Sequence, residues 1–265
     1  MALAARDRQA IEIVPLGDDT GTTYVMFFLK SIAHVVATVS FLSLIQITAS
    51  AQSTLFNIPS TDVVAKKKTY LEFDFVSHLE SHGNGGFQTY IPRAVFGLGK
   101  RTEAGVNVTF TDSLLADQPI ELQPNVKHQF YANEQKAITI VGGGILYLPI
   151  ANRSGTDTFG MVYAVASKTI KGSHGPRLST GCYSLIGRAE GNGNSIGAIT
   201  GYEQPLLPGR VSFVADWFSG KNRFGYLTPG LAINVSSKSV LYAGYSIGNS
   251  GRKNNGLFMF YGITF

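Results

Sequence analysis

Seven charged residues set most of the chemistry open to this chain: Glu72, Asp74, Arg93, Glu121, Lys127, Glu203 and Asp216. Each stands in a run where apolar and polar side chains alternate. Glu72 lies two positions from Asp74, and Glu121 lies six from Lys127. Even spacings put both members of each pair on one face of an extended strand. Five of the seven are acids, so a surface that gathers them is net acidic. Charges taken out of water must be paired or hydrated. Two arrangements would satisfy them. One is a narrow polar pathway for small neutral or cationic solutes. The other is a hydrogen-bonded packing of side chains that fills the enclosed space.

Nucleophilic chemistry has weaker support. A hydrolase needs a nucleophile, a base and an orienting polar group within hydrogen-bond reach. Ser77 and His78 are neighbours in an extended run, so they point to opposite faces. Asp74 and His78 share a face but stand about 13 Å apart along it. His82 and His174 fall in connections, and His128 falls on an apolar face. Gly191-Asn192-Gly193-Asn194 is not followed by a helix start, so it is no phosphate cradle. Cys182 is the single cysteine, which leaves no intramolecular disulfide and no multi-cysteine metal site. Neither a cofactor nor a metal is implied, and no enzyme is expected.

The elements that must carry these residues are strands. After residue 68 the alternation predicts twelve: 69–79, 87–98, 103–111, 119–131, 136–150, 158–170, 177–187, 195–204, 210–218, 224–235, 239–247 and 256–265. Ten or fourteen remain open, because Gly142-Gly143-Gly144 marks a bulge or a break in the fifth. Connections after even strands are tight. Those after odd strands are longer and more polar. Both faces of the strands carry apolar groups, unlike a sandwich with its polar exterior. Tyr70, Tyr90, Phe110, Phe130, Phe159, Tyr163, Tyr202, Trp217, Tyr226, Tyr242 and Tyr261 would supply the aromatic girdles of a membrane barrel.

Both ends agree with this reading. Met26-Phe27-Phe28-Leu29-Lys30, an apolar run from Ile32 to Ile47 and Thr48-Ala49-Ser50-Ala51 have the layout of a signal peptide over 26–51, cut after Ala51. Residues 1–25 are expected to be a mis-annotated leader, with translation starting at Met26. Residues 52–68, with Pro59 and Lys66-Lys67-Lys68, are expected as a periplasmic N-terminal segment that either trails as a tail or folds inward as a partial plug. The barrel would occupy 69–265. At the other end Leu257, Met259, Tyr261, Ile263 and Phe265 repeat at period two and close on a terminal aromatic. That strand resembles the one by which Gram-negative outer-membrane β-barrels are recognised and inserted, with Tyr261, Ile263 and Phe265 as the assembly signal.

The resemblance implies an all-β, closed antiparallel transmembrane barrel of about twelve strands in the bacterial outer membrane. Its partners would be the barrel-assembly machinery, outer-membrane lipid and lipopolysaccharide, and a small solute. The expected function is a channel or porin-like transporter filtered by the seven charges. The alternatives are a closed barrel with a structural or adhesive role and, behind it, an outer-membrane lipid-modifying enzyme. Nothing here resembles the serine motif of outer-membrane phospholipases or the acidic clusters of outer-membrane proteases. Residues 52–265 hold nineteen basic residues against thirteen acidic ones, a net +6. That mild excess lacks the clustered basic face of a nucleic-acid binder. Solute identity and oligomeric state are not encoded in these patterns.

Overall fold

The computed structural model describes residues 53–113, 118–153, 157–187, 193–251 and 254–265. The expected leader and the signal peptide, with Ala49 and Ala51, lie outside the described residues. Among these residues twelve strands form: β1 (Thr69–His78), β2 (Phe87–Gly97), β3 (Thr102–Ser113), β4 (Ile120–Asn133), β5 (Ile138–Ala151), β6 (Phe159–Thr169), β7 (Arg177–Gly187), β8 (Ile196–Leu207), β9 (Val211–Phe218), β10 (Tyr226–Asn234), β11 (Ser239–Gly248) and β12 (Gly256–Thr264). Each pairs antiparallel with its neighbour in sequence, and β12 closes on β1. The fold is therefore an all-β closed barrel with no free edge. Phe73 stands opposite both Pro92 and Tyr261. The closing seam ends with Phe265 and Thr69 exchanging backbone hydrogen bonds of 2.8 and 3.3 Å.

Period-two patterning decides which way each strand faces. On β1 Tyr70, Glu72 and Asp74 are buried, while Leu71 and Phe73 are exposed. The same alternation sends Ala104, Val106, Val108 and Phe110 of β3 outward and Asn107 and Thr109 inward. Around the barrel the outward row is apolar, with Phe96, Val126, Val162, Leu178, Ile186, Trp217, Leu231 and Met259 among its exposed members. Charged side chains on outward strand positions are confined to Asp112 and Lys168, each next to a strand end.

The Gly142-Gly143-Gly144 run does not break β5, which stays paired on both sides throughout it. The irregularities of the β4–β5 ladder lie elsewhere, one between Ile120 and Glu121 and one between Gln129 and Tyr131. The glycines instead make room. A Cβ on Gly143 would lie 2.4 Å from the Tyr163 hydroxyl, and one on Gly142 would lie 2.8 Å from the Phe130 ring.

Five of the expected girdle aromatics turn inward. Tyr70, Phe159 and Tyr242 are buried, and Tyr163 and Tyr226 line the interior. The reason is parity: Tyr70 shares its face with Glu72 and Asp74, and Tyr163 shares its face with Met161 and Val165. Small wall residues accommodate the rings, as Gly262 does where a Cβ would meet the Tyr70 hydroxyl at 2.0 Å. Tyr90, Phe110, Phe130, Tyr202, Trp217 and Tyr261 remain on the outer face. Phe159 and Tyr242 join a core with Val141, Leu185, Ile199, Val214, Phe218, Phe258 and Phe260, Tyr163 packs against it, and Tyr70 forms a separate cluster with Val64 and Val95.

Candidate functional site

Of the two placements open for residues 52–68, the structure shows the inward one for residues 53–64. This segment makes a tight hairpin inside the lumen. The Leu55 N–H donates to the Ile58 carbonyl at 2.9 Å and the Ser60 N–H to the Ser53 carbonyl at 3.2 Å. Its ladder is with itself, through Thr54 and Pro59. Leu55, Phe56, Ile58 and Val64 are fully buried. The Phe56 ring packs 4.6 Å from Phe258 and edge-on to Tyr242 at 5.9 Å. Two wall glycines leave space for this apolar tip. A Cβ at Gly201 would stand 2.4 Å from Leu55 Cδ1, and one at Gly230 would stand 3.0 Å from Phe56 Cζ.

Polar anchors hold the hairpin around its circumference. Asp216 Oδ2, on β9, accepts the backbone N–H groups of Phe56, Asn57 and Ile58 at 2.9, 2.7 and 3.1 Å. Three donors converging on one carboxylate oxygen satisfy turn amides that would otherwise be buried unpaired. The Asn57 amide also donates to Thr228 Oγ1. On the opposite wall Lys127 Nζ donates to the carbonyls of Ser53 and Ser60 at 2.8 and 3.3 Å and lies 3.0 Å from Glu103 Oε1. Glu103 in turn accepts the Ser53 hydroxyl at 2.5 Å and the Val64 N–H at 2.6 Å. Near the exit of the segment Arg177 forks onto Glu203 and reaches Asp62 at 2.7 Å. Thr61 Oγ1 meets Ser167 Oγ at 2.5 Å.

A further cluster sits on β1 and β2. Arg93 lies opposite Glu72 in the ladder. Its guanidinium is 2.6 Å from Asp74 and 3.3 Å from Glu72, and it donates to Thr54 Oγ1 at 3.2 Å. At the far mouth Arg223, from the β9–β10 connection, folds back into the lumen. It forks onto Glu121 at 2.8 and 2.6 Å and lies over the rings of Tyr147, Phe159 and Phe224 at 5.3 to 5.4 Å. The charge on Glu121 and the aromatic faces explain why it turns inward.

All seven sequence-selected charges therefore face the interior, but the structure divides them among separate clusters. Glu72, Asp74 and Arg93 form one, Lys127 joins Glu103, Glu203 joins Arg177, Glu121 joins Arg223, and Asp216 binds the hairpin backbone. Glu103, Arg177 and Asp62 were missed. Glu103 had a signal, because it lies at even spacing from Asn107 and Thr109 on β3. Arg177 shows its role only through register, which sets it opposite Glu203. Between the hairpin and the far mouth a cavity of about 300 Å³ remains, bounded by Ser53, Thr54, Asn57 and Pro59 below and reaching Thr111, Phe224 and Tyr226.

Two imidazoles touch hydroxyls: His128 Nδ1 lies 2.8 Å from Thr102 Oγ1, and His174 Nδ1 lies 3.1 Å from Ser173 Oγ. His78 Nδ1 instead faces the Asn255 carbonyl. Among the described residues no group of three or more His, Cys, Asp or Glu is placed to hold a metal ion. On β12 Tyr261 is exposed on the outer face and Ile263 is half-buried, with Phe265 exposed just beyond the strand.

Fold and site together define a closed twelve-strand antiparallel barrel with a segment of its own chain inside the lumen. No family model matches the chain, and no curated protein matches it. Among solved structures it is similar to the outer membrane phospholipase A from Escherichia coli, with 12% sequence identity and a TM-score of 0.40, over 82% of this chain and 98% of that one.

Proposed function

We propose that this barrel spans the outer membrane of a Gram-negative bacterium and passes small solutes, with residues 53–64 as its closing element. Membrane insertion is supported by the continuous apolar outer row, which water would penalise at about 25 cal/mol per Å² and which lipid accepts. The observation that carries the passage reading is the kind of closure found in the lumen. The wall leaves a cavity lined by both polar and aromatic side chains, and its floor is a hairpin that contributes no strand to the wall. Such a segment can withdraw while the barrel's ladders stay intact. Side chains packed from the wall itself could not. Lipid and lipopolysaccharide would surround the barrel, Arg153 and Lys221 being placed in connections at the far end, and the assembly machinery would read β12. Non-enzymatic action is part of the same proposal, in which His128 and His174 serve as hydrogen-bond partners of Thr102 and Ser173.

Planar-bilayer conductance tests this reading. Residues 52–265 should show rare, brief openings, and the same chain lacking 53–64 should show larger, sustained steps. A folded barrel that conducts in neither form would sink the passage reading and favour a closed structural or adhesive barrel.

A further inference from the structure

The cavity above the hairpin has a definite chemical character. One wall, from β2 to β4, is a ladder of neutral groups that both donate and accept. Thr89 Oγ1 meets Thr111 Oγ1 at 3.0 Å, Gln123 Nε2 donates to Thr109 Oγ1 at 2.8 Å, and Asn107 Nδ2 points to Gln123 Oε1 at 3.5 Å. Next to it β5 and β6 contribute the aromatic side chains of Tyr147 and Tyr163, and Phe224 and Tyr226 line the cavity at the start of β10. The charged groups at its boundary are already committed: Arg93 to Glu72 and Asp74, Glu103 to Lys127, and Arg223 to Glu121. A charged guest would lose its hydration, and an anion would also meet the surplus carboxylate of the Glu72–Asp74–Arg93 cluster, which sets two acids against one guanidinium. An apolar guest would strand the amides and hydroxyls.

We propose that this cavity binds a neutral, polyhydroxylated solute of about one sugar ring, hydroxyls toward Gln123, Asn107 and Thr109 and a C–H face against the rings of Tyr163 and Tyr226. The hydroxyl and amide wall matches a guest whose every polar group both donates and accepts. The aromatic wall matches the apolar faces of such a ring. The volume, about 300 Å³, stands at the lower end of small-molecule sites, roughly 300–1,000 Å³, so it takes a single ring and excludes an oligomer. The assignment names the solute for the passage function proposed above and rests on that reading.

The test uses the full chain expressed in Gram-negative cells and the barrel purified from their membranes. Binding of D-glucose, cationic D-glucosamine and anionic D-glucuronate is followed by saturation-transfer NMR, with conductance recorded on the same preparation. Glucose should bind at least tenfold more tightly than either charged sugar, and Gln123→Leu should abolish its signal. Asn107→Asp, which preserves shape but adds a free carboxylate, should turn the preference toward glucosamine by at least tenfold. A charged sugar preferred by the unmodified protein, or glucose binding indifferent to both substitutions, overturns the site. Conductance without glucose binding overturns the site and leaves solute passage standing. Glucose binding without conductance upholds the site and overturns passage.

Discussion

Asp216 Oδ2 lies 2.7 Å from the backbone nitrogen of Asn57, across 159 positions of sequence. The same oxygen also takes the N–H groups of Phe56 and Ile58. One wall carboxylate thus organises the tip of the hairpin that fills the lumen. An acid that sequence patterning would assign to filtering solutes is occupied in holding the chain's own backbone.

Replacing Asp216 with Ala should loosen that tip. It leaves three turn amides without their acceptor, and those of the buried Phe56 and Ile58 cost about 1–3 kcal/mol each when unsatisfied. Every 1.4 kcal/mol is a tenfold change in an equilibrium. The open fraction in bilayer recordings should therefore rise at least tenfold. Asp216→Asn keeps an oxygen acceptor and should open less. Unchanged gating in Asp216→Ala would show that the tip does not control passage.

A covalent tether should have the opposite effect. Thr61 Oγ1 and Ser167 Oγ are 2.5 Å apart, close enough for cysteines at both positions to meet disulfide geometry with little backbone movement. In a Cys182→Ser background, oxidised Thr61→Cys/Ser167→Cys should hold the hairpin in place and suppress openings. A reductant should restore them. Openings of equal frequency in both redox states would rule out movement of this part of the segment as the gate.

Lys127 and Glu103 form a fully buried pair that also grips the hairpin's carbonyls. Lys127→Met leaves Glu103 uncompensated, a loss of about 3–5 kcal/mol for a broken buried pair. The urea midpoint of the refolded barrel should fall accordingly. Lys127→Met with Glu103→Gln should recover much of that loss, because no isolated charge remains. Equal midpoints for the single and double variants would argue that the pair is hydrated.

Phe265→Ser separates assembly from stability. The backbone bonds of Phe265 to Thr69 do not depend on its side chain, which is exposed. The variant refolded in detergent should therefore match the parent in unfolding. In cells it should lose the heat-modifiable, folded form in the outer-membrane fraction. Normal folded yield in cells would remove the case for β12 as an assembly signal.

Most of the wall was legible in the chain. Expected strand boundaries fall within three residues of those observed, because one face of each strand is apolar and a one-residue slip would invert it. Parity also placed Glu72, Asp74, Glu121, Lys127 and Asp216 inside. The aromatic residues were harder to place from type alone. Tyr70 and Tyr242 suit a membrane interface by composition, yet they sit on the inward parity beside wall glycines that make room for them. Residues 53–64 carried no periodic signal, since a hairpin buried by its surroundings needs no amphipathic face of its own.

The sequence by itself determined where the strands run and that the seven selected charges share the inward parity, since these follow from alternation and turn residues acting over a few positions, while the count of twelve and the side taken by the aromatics came with closure of the barrel. Only the tertiary structure decided what the interior charges do. Asp216 and Asn57, Lys127 and Ser53, Arg177 and Asp62, and Arg223 and Glu121 are separated by long stretches of chain, and their meeting depends on barrel closure and register. Charges in a closed interior take whatever partners the wall and the hairpin bring within reach. Here those partners are one another and the chain's own N-terminal segment, which leaves neutral amides, hydroxyls and aromatic rings to face the remaining space.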